Sequence, residues 1–387
     1  MPTFTDNPQP ASGTLPQWLQ QQARQQGTGI ALRHKRLGVW QERTWCQLAA
    51  EVQRLAMALK ARGFAPGATL VIVSRPRPEA LIAALSAQWL GGVAALLDPL
   101  EALAAQVPVL RELHSEWVFA EGQEEIQRLH TAGMTPRLLI YADGRGLDEV
   151  SQAGDTLAFA QLLQQGSDLR FEPQTRATHT AFALYRVGAG QRIEQQRISH
   201  AELLQEGQRL VHSEQLGRQE EALAARAFAT GGQACYVLAP WLIAGFRLNF
   251  PENLATRDQD RRELGPTLVA GTRETYERLH AQILARLPEP GGWRRRLVDW
   301  ALKTRPGVLN RHVGYWLIRR PLRDVLGFSR TRAPLLVGEA LAAPTQAFFQ
   351  SLAIEVRTWP DPEQWHHLAP WPVPRVNGWI EDSMQSA

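Results

Sequence analysis

Residues 67–99, GATLVIVSRPRPEALIAALSAQWLGGVAALLDP, hold the pattern that decides the fold. Thr69 to Ser74 is a short apolar run entered through the Pro66-Gly67 turn, and Val93 to Leu97 is another. Between them, Pro78 to Leu90 has a Pro where a helix would begin and Gly91-Gly92 where it would stop. Neither run alternates apolar with polar residues, which marks strands covered on both faces. Strand, helix and strand in this order predict a βαβ unit and a parallel sheet.

The same alternation extends in both directions. Upstream, Leu15 to Gln25 reads as an amphipathic helix, and Ile30 to Arg33 with Gly38 to Thr44 as a hairpin. Thr44 can cap a helix over Gln47 to Arg62, whose Leu48, Val52, Leu55, Ala56 and Leu59 recur at helical spacing. Downstream, strands are expected at Glu116 to Ala120, Arg137 to Tyr141, Thr180 to Tyr185, Arg247 to Phe250, Thr267 to Ala270 and Pro334 to Val337. Helices are expected at Glu124 to His130, Arg273 to Ala285 and Thr345 to Leu352. Ser199 with Glu202 forms a capping box for one more. Arg186 to Arg197 reads as a loop. The fold class is α/β, doubly wound and mostly parallel.

Composition bounds the functions open to the chain. With 387 residues, 44% hydrophobic and 21% charged, it is a globular protein able to bury a large core. A net charge of +4 is too small for a general nucleic-acid binder. Cys46 and Cys235 are too few and too far apart for a disulfide framework or a CxxC site, which points to a cytoplasmic protein. Two uncharged stretches, Ala80 to Leu97 and Ala227 to Phe246, approach membrane-spanning length. Gly91-Gly92 breaks the first, and Gly231-Gly232 and Pro240 break the second, so both are read as sheet-domain interior.

Several blocks in collinear order resemble the AMP-dependent (adenylate-forming) synthetase/ligase superfamily, and in particular long-chain fatty acid-CoA ligases. They are Val39 to Trp45, Gly67 to Pro99, Trp117 to Leu147, Gly245 to Glu252, Gly265 to Val269, Arg320 to Asp324 and Gly338 to Leu341. The resemblance implies an acetyl-CoA synthetase-like large domain over residues 14–364, with subdomains of about 14–178 and 179–364. A loose tail would precede it at 1–13, and a Pro/Trp-rich tail would follow at 365–387. It implies further that the C-terminal lid domain is absent. The family joins a carboxylate to AMP using ATP and Mg, then passes the acyl group to CoA.

Set against that pattern, the nucleotide positions are degenerate. The phosphate loop would fall at Arg186 to Gln195, where only Gly188 matches. Ala189 and Gly190 stand in place of hydroxyl side chains, Glu194 stands where the family has its Lys, and either Arg186 or Arg192 is placed to offset part of that change. The metal-binding Glu would fall at Gln364, after Glu363 in the Thr place, and a neutral amide is a poor ligand for a hard cation. Gly338, Glu339 and Ala340 resemble the adenine-side loop. Thr230, Gly271 and Arg273 are the acyl-pocket candidates. No residue is assigned a catalytic role, and no metal site is expected.

Other constellations carry less. His366-His367 beside Asp361 and Glu363 has metal-binding residue types without zinc spacing, and reads as a surface loop. Residues 293–332 gather eleven Arg and Lys against Asp299 and Asp324, interleaved with Trp and Leu. Such a stretch suits an anionic membrane surface. Three functions therefore compete. The first is a family member without ligase activity that binds an acyl ligand or a partner protein. The second is an adenylating enzyme that takes its lid from a partner. The third is a peripheral membrane protein acting through 293–332.

Overall fold

The computed structural model describes residues 12–147, 155–167, 170–226, 228–303, 307, 310–362 and 364–367. Ala227, Arg305, Glu363 and both expected tails beyond these limits lie outside the described residues. Fifteen strands are described: β1 (Ile30–Arg36), β2 (Val39–Thr44), β3 (Thr69–Val73), β4 (Val93–Leu97), β5 (Trp117–Ala120), β6 (Leu138–Tyr141), β7 (Thr156–Ala158), β8 (Thr180–Val187), β9 (Ile193–Ser199), β10 (Glu221–Leu223), β11 (Arg247–Phe250), β12 (Leu268–Gly271), β13 (Ala333–Val337), β14 (Arg357–Trp359) and β15 (His366–His367).

They build two sheets. One has the order β15-β9-β8-β4-β3-β5-β6-β7, the other β14-β13-β12-β10-β11-β1-β2. The pairs are parallel except β1 with β2, β8 with β9, and β9 with β15. The expected α/β class with two mostly parallel sheets is the class observed. Sheet membership changes more than once along the chain. The early hairpin β1–β2 joins the sheet of later strands through β11, while β8 and β9, past residue 178, stay with β3 to β7.

Five layers result. The largest apolar cluster takes Leu70 and Ile72 from one sheet and Leu248 and Leu335 from the other. Helices Trp45–Ala61, Pro78–Trp89 and His200–Ser213 fill the space between. Trp45 and Trp241 stack there, with ring centroids 5.0 Å apart. Each sheet's outer face has its own cluster and helices, Leu103–Leu113 and Gln123–Thr131 on one, Arg273–Leu284 and Ala343–Ser351 on the other. The capping boxes at Thr44 and Ser199 both form.

The second uncharged stretch winds into a buried helix running through Gly231–Gln233, Ala234–Leu238 and Ala239–Ala244. Its middle segment is wound wider than an α-helix. Pro240 follows directly, and a wider turn carries the preceding carbonyls away from the proline ring. Asn310–Arg319 is wound the same way just before Pro321. Among the described residues no helix is long and apolar enough to cross a membrane.

Candidate nucleotide site at the strand ends

In sheets of this kind ligands bind beyond the carboxyl ends of the parallel strands. Here those ends carry the turns after β8, β12, β13 and β14, and these turns hold the residues singled out in the sequence.

The segment expected as a loop, Arg186 to Arg197, is mostly sheet. β8 and β9 pair from Thr180 with Ser199 to Val187 with Ile193, leaving Gly188 to Arg192 as a tight turn. Gly188 N–H donates to the Arg192 carbonyl at 2.8 Å. Gly190 and Gln191 take positive φ, 69° and 62°, which closes the hairpin. The sequence hides this strand because Ile193-Glu-Gln-Gln-Arg-Ile-Ser has only two large apolar residues.

Glu194 lies opposite Arg186 in the register, and Arg186 Nε donates to its Oε2 at 2.8 Å. The carboxylate folds over Gly188: a Cβ built on that glycine would come within 2.4 Å of Glu194 Cδ. The three atoms nearest to that Cβ all belong to Glu194, so the side chain folded against Gly188 is an anion. Trp365 completes the cluster, its ring 4.3 Å from the Arg186 guanidinium. Ala189, Gly190 and Arg192 are exposed on the turn's outside.

The turn after β14 is held by the proline carbonyls. Tyr236 Oη donates to Pro360 O at 2.8 Å, and Gln196 Nε2 donates to Pro362 O. Gly231 and Gly232, at the start of the buried helix, face this turn: a Cβ on Gly231 would sit 3.2 Å from Pro362 Cγ, and one on Gly232 2.4 Å from Val337 Cγ1 and 3.3 Å from Asp361 Oδ1. Beyond it the chain forms β15, with His366 opposite Gln195 and His367 opposite Glu194. The two histidines thus form an exposed edge strand rather than a loop. Gln364 is exposed.

Of the remaining candidates, Thr230 caps the buried helix, accepting from Gln233 N. Gly271 ends β12 and packs under Tyr276 and Thr275. Arg273 is exposed, and its Nη1 donates to Glu339 at 3.2 Å while its Nε donates to Glu277 at 2.7 Å. Those hydrogen bonds, to Glu277 first, raise the Arg273 pKa further. Gly338 has φ +91°, and its N–H donates to the Trp359 carbonyl at 3.0 Å. Ala340 faces the other way, toward the helix Ala343–Ser351 side. So the structure gathers the 194, 231–232, 338 and 361–362 positions, and joins Arg273 to Glu339. Sequence reading missed Gln196, Tyr236, Gly231 and Gly232 as parts of the site. Only the Thr-Gly-Gly helix start at 230–232 could have signalled them.

Among the described residues, the spaces beside this rim include two on the side of the first sheet. Between the sheets, Phe182, Phe228, Ala229 and Leu238 line a cavity of about 20 Å³, room for about one water and not for an acyl chain. A cleft of about 600 Å³ lies at the ends of β1, β3, β5 and β11, with His34, Arg36, Arg75, Arg77, Glu121 and Asp143 among its walls. His34 is buried there with Nδ1 lacking a hydrogen-bond partner, and burial lowers its pKa to about 4. Among the described residues no three His, Cys, Asp or Glu side chains converge as metal ligands.

Two mostly parallel sheets with converging strand-end turns define the large domain of adenylate-forming enzymes. The sequence model of the AMP-binding enzymes matches residues 19–358, and the chain belongs to that family. No curated protein matches it. Among solved structures it is similar to the A domain of a carboxylic acid reductase from Segniliparus rugosus, in complex with AMP and a co-purified carboxylic acid. That match has TM-score 0.70 and 12% identity, over 90% of this chain and 60% of the other. The anthranilate CoA ligase AuaEII in complex with anthranoyl-AMP gives 0.66 and 14%, over 90% and 60%. A luciferase-like enzyme from the nonluminescent mealworm Zophobas morio gives 0.64 and 14%, over 91% and 72%. The chain thus spans about 60% of the first two proteins, and at these identities the likeness is one of fold.

Proposed function

We propose that this AMP-binding family chain, resembling the long-chain acyl-CoA synthetases, does not form acyl-adenylates and serves as a binding or regulatory module. The observation that carries the reading is the Glu194 carboxylate folded over Gly188 and bonded to Arg186. A phosphate about 4 Å from a lone carboxylate would be repelled by about 4 kcal/mol at an effective dielectric near 20, where a Lys would attract it by as much; Arg186 offsets part of that repulsion, so the bonded pair offers a phosphate no net attraction in place of the Lys. Gln364 adds a second loss, since it offers a neutral amide where a magnesium carboxylate is needed. The residues present do not fit a triphosphate with its metal, so no adenylation step is derived through them.

ATP-pyrophosphate exchange with a panel of fatty acids tests the proposal. Exchange at background level for the native chain is the expected result. Exchange above background that Arg192→Ala abolishes would defeat it, because Arg192 would then be acting as the missing cation. Glu194→Lys is expected to leave exchange at background, since the charge at the turn is only one of two changes.

A further inference from the structure

Residues 293–301 and 310–326 form a pair of packed helices, termed the hairpin, whose outer side has no partner among the described residues. Its first helix is Trp293–Ala301, and its second runs through Asn310–Arg319 and Arg320–Leu326. The inner side is tied by the buried Arg319, whose Nε donates to the Ala301 carbonyl at 2.9 Å. Its Nη2 reaches the Lys303 carbonyl and Asn310 Oδ1, each at 3.3 Å. Gly314 leaves room for the amide that meets Arg319, since a Cβ there would lie 2.5 Å from Asn310 Oδ1.

The outer side faces water and is apolar. Trp293 is 71% exposed, Trp316 60% and Leu317 58%, and six of the eleven large apolar side chains exposed among the described residues fall in this hairpin. Trp293 and Leu297 stand four residues apart on an α-helix and share a side, while Val313, Trp316 and Leu317 are exposed on the more widely wound second helix. Cations lie over the rings: Arg294 is 5.5 Å from the Trp293 centroid and Arg320 is 4.5 Å from that of Trp316. Arg294, Arg296 and Arg320 have no carboxylate at ion-pairing distance among the described residues. The two acids of the segment are already engaged, Asp299 by Arg295 and Asp324 by Ser329.

We propose that this hairpin docks on an anionic lipid surface, with Trp293, Trp316 and Leu317 entering the headgroup boundary and the flanking arginines meeting lipid phosphates. Indole rings next to guanidinium groups suit a boundary that is apolar on one side and anionic on the other. A nucleic-acid duplex would use the cations and leave the Trp-Leu stripe in water. The proposal does not rest on the reading of the nucleotide site, so either can fail alone.

Co-sedimentation of the full chain with vesicles tests it. Binding is expected to phosphatidylcholine mixed with phosphatidylserine and not to phosphatidylcholine alone. It should be lost at about 1 M salt, where the screening length falls to about 3 Å. Arg294→Gln, Arg296→Gln and Arg320→Gln together should weaken binding roughly a hundredfold, at about fivefold for each cation. Trp316→Ser with Leu317→Ser should weaken it about tenfold or more. All five positions are exposed, so an unchanged melting curve by circular dichroism shows the variants are folded. No sedimentation at low salt, equal binding by both variants, or displacement from vesicles by duplex DNA or by an acidic protein would overturn the proposal.

Discussion

The strand-end rim and the 293–326 hairpin are both rich in arginine, and they use it in opposite ways. On the rim, Arg186 bonds Glu194, Arg75 bonds Glu121 at 2.6 Å, and Arg77 bonds Glu79 at 2.9 Å. In the hairpin, Arg294 and Arg320 rest on Trp rings, with Trp293 and Trp316 open to water. A paired arginine has its charge cancelled at short range, whereas one lying on an aromatic face keeps its charge for an outside partner. Counting cations along the sequence would place both regions in one class. Their partners separate them: Arg186, Arg75 and Arg77 are satisfied by neighbouring carboxylates, while Arg294 and Arg320 are directed outward.

The contrast is broken most severely at Arg319, a hairpin arginine that is buried and turned inward. Arg319→Ala leaves the carbonyls of Ala301 and Lys303 without that donor and removes a buried side chain, so a loss of about 3 kcal/mol is expected in urea unfolding. Arg319→Lys should recover only part, because an ammonium cannot reproduce the forked geometry. A loss no larger than that of an exposed arginine would mean that the hairpin is not held from inside.

The rim is sharpened next by pH. Burial lowers the His34 pKa to about 4, the largest effect. Nearby Glu79 raises it and Arg77, Arg43 and Arg36 lower it. His200, in the central layer, is lowered to about 3 for the same first reason. Each unfolded imidazole takes up a proton near pH 6.5 that the folded one refuses. Their stabilising effect is therefore complete above pH 6.5 and is lost as pH falls toward 4 for His34 and toward 3 for His200, on the order of 3 kcal/mol for His34 and somewhat more for His200. Urea midpoints from pH 7.5 to 4.5 should show this slope, and His34→Gln should flatten it.

Much of this fold was legible from residues 67–99 and their neighbours because buried parallel strands are apolar throughout. β3, β4 and β11 lie where the runs 69–74, 93–97 and 247–250 place them, and the caps at Thr44 and Ser199 are local devices complete within four residues. β9 was not legible, since its pairing depends on β8 rather than on its own polar sequence. Nor was the joining of β1 to β11, a contact between residues more than 200 positions apart. At the site, the changed charge at Glu194 could be seen, but the carbonyls of Pro360 and Pro362 as acceptors for Tyr236 and Gln196 could not. Backbone acceptors leave no trace in side-chain identity.

Smaller effects are expected of the Arg186–Glu194 pair. Its side chains are 42% and 17% exposed, so solvent screening limits either single change, Arg186→Gln or Glu194→Gln, to about 0.5–1 kcal/mol. Exchanging the two, Arg186→Glu with Glu194→Arg, should return most of that, because the residues oppose each other across the hairpin. A double variant no more stable than the sum of the singles would show that Glu194 is held by the close approach to Gly188 rather than by its arginine partner.

The smallest stability change of all should come from Trp316→Ser. A side chain 60% exposed covers little of the core, and its loss should shift the urea midpoint by less than about 0.5 kcal/mol. A Trp of the central layer behaves differently. Trp241→Ala opens a cavity beside Trp45, frees the Ala31 carbonyl that Trp241 Nε1 reaches at 3.2 Å, and should cost about 4 kcal/mol. A large loss at Trp316 would mean that its ring packs against the body of the protein in solution. It would then be unavailable to any surface, and the hairpin would belong with the rim as a region satisfied from within.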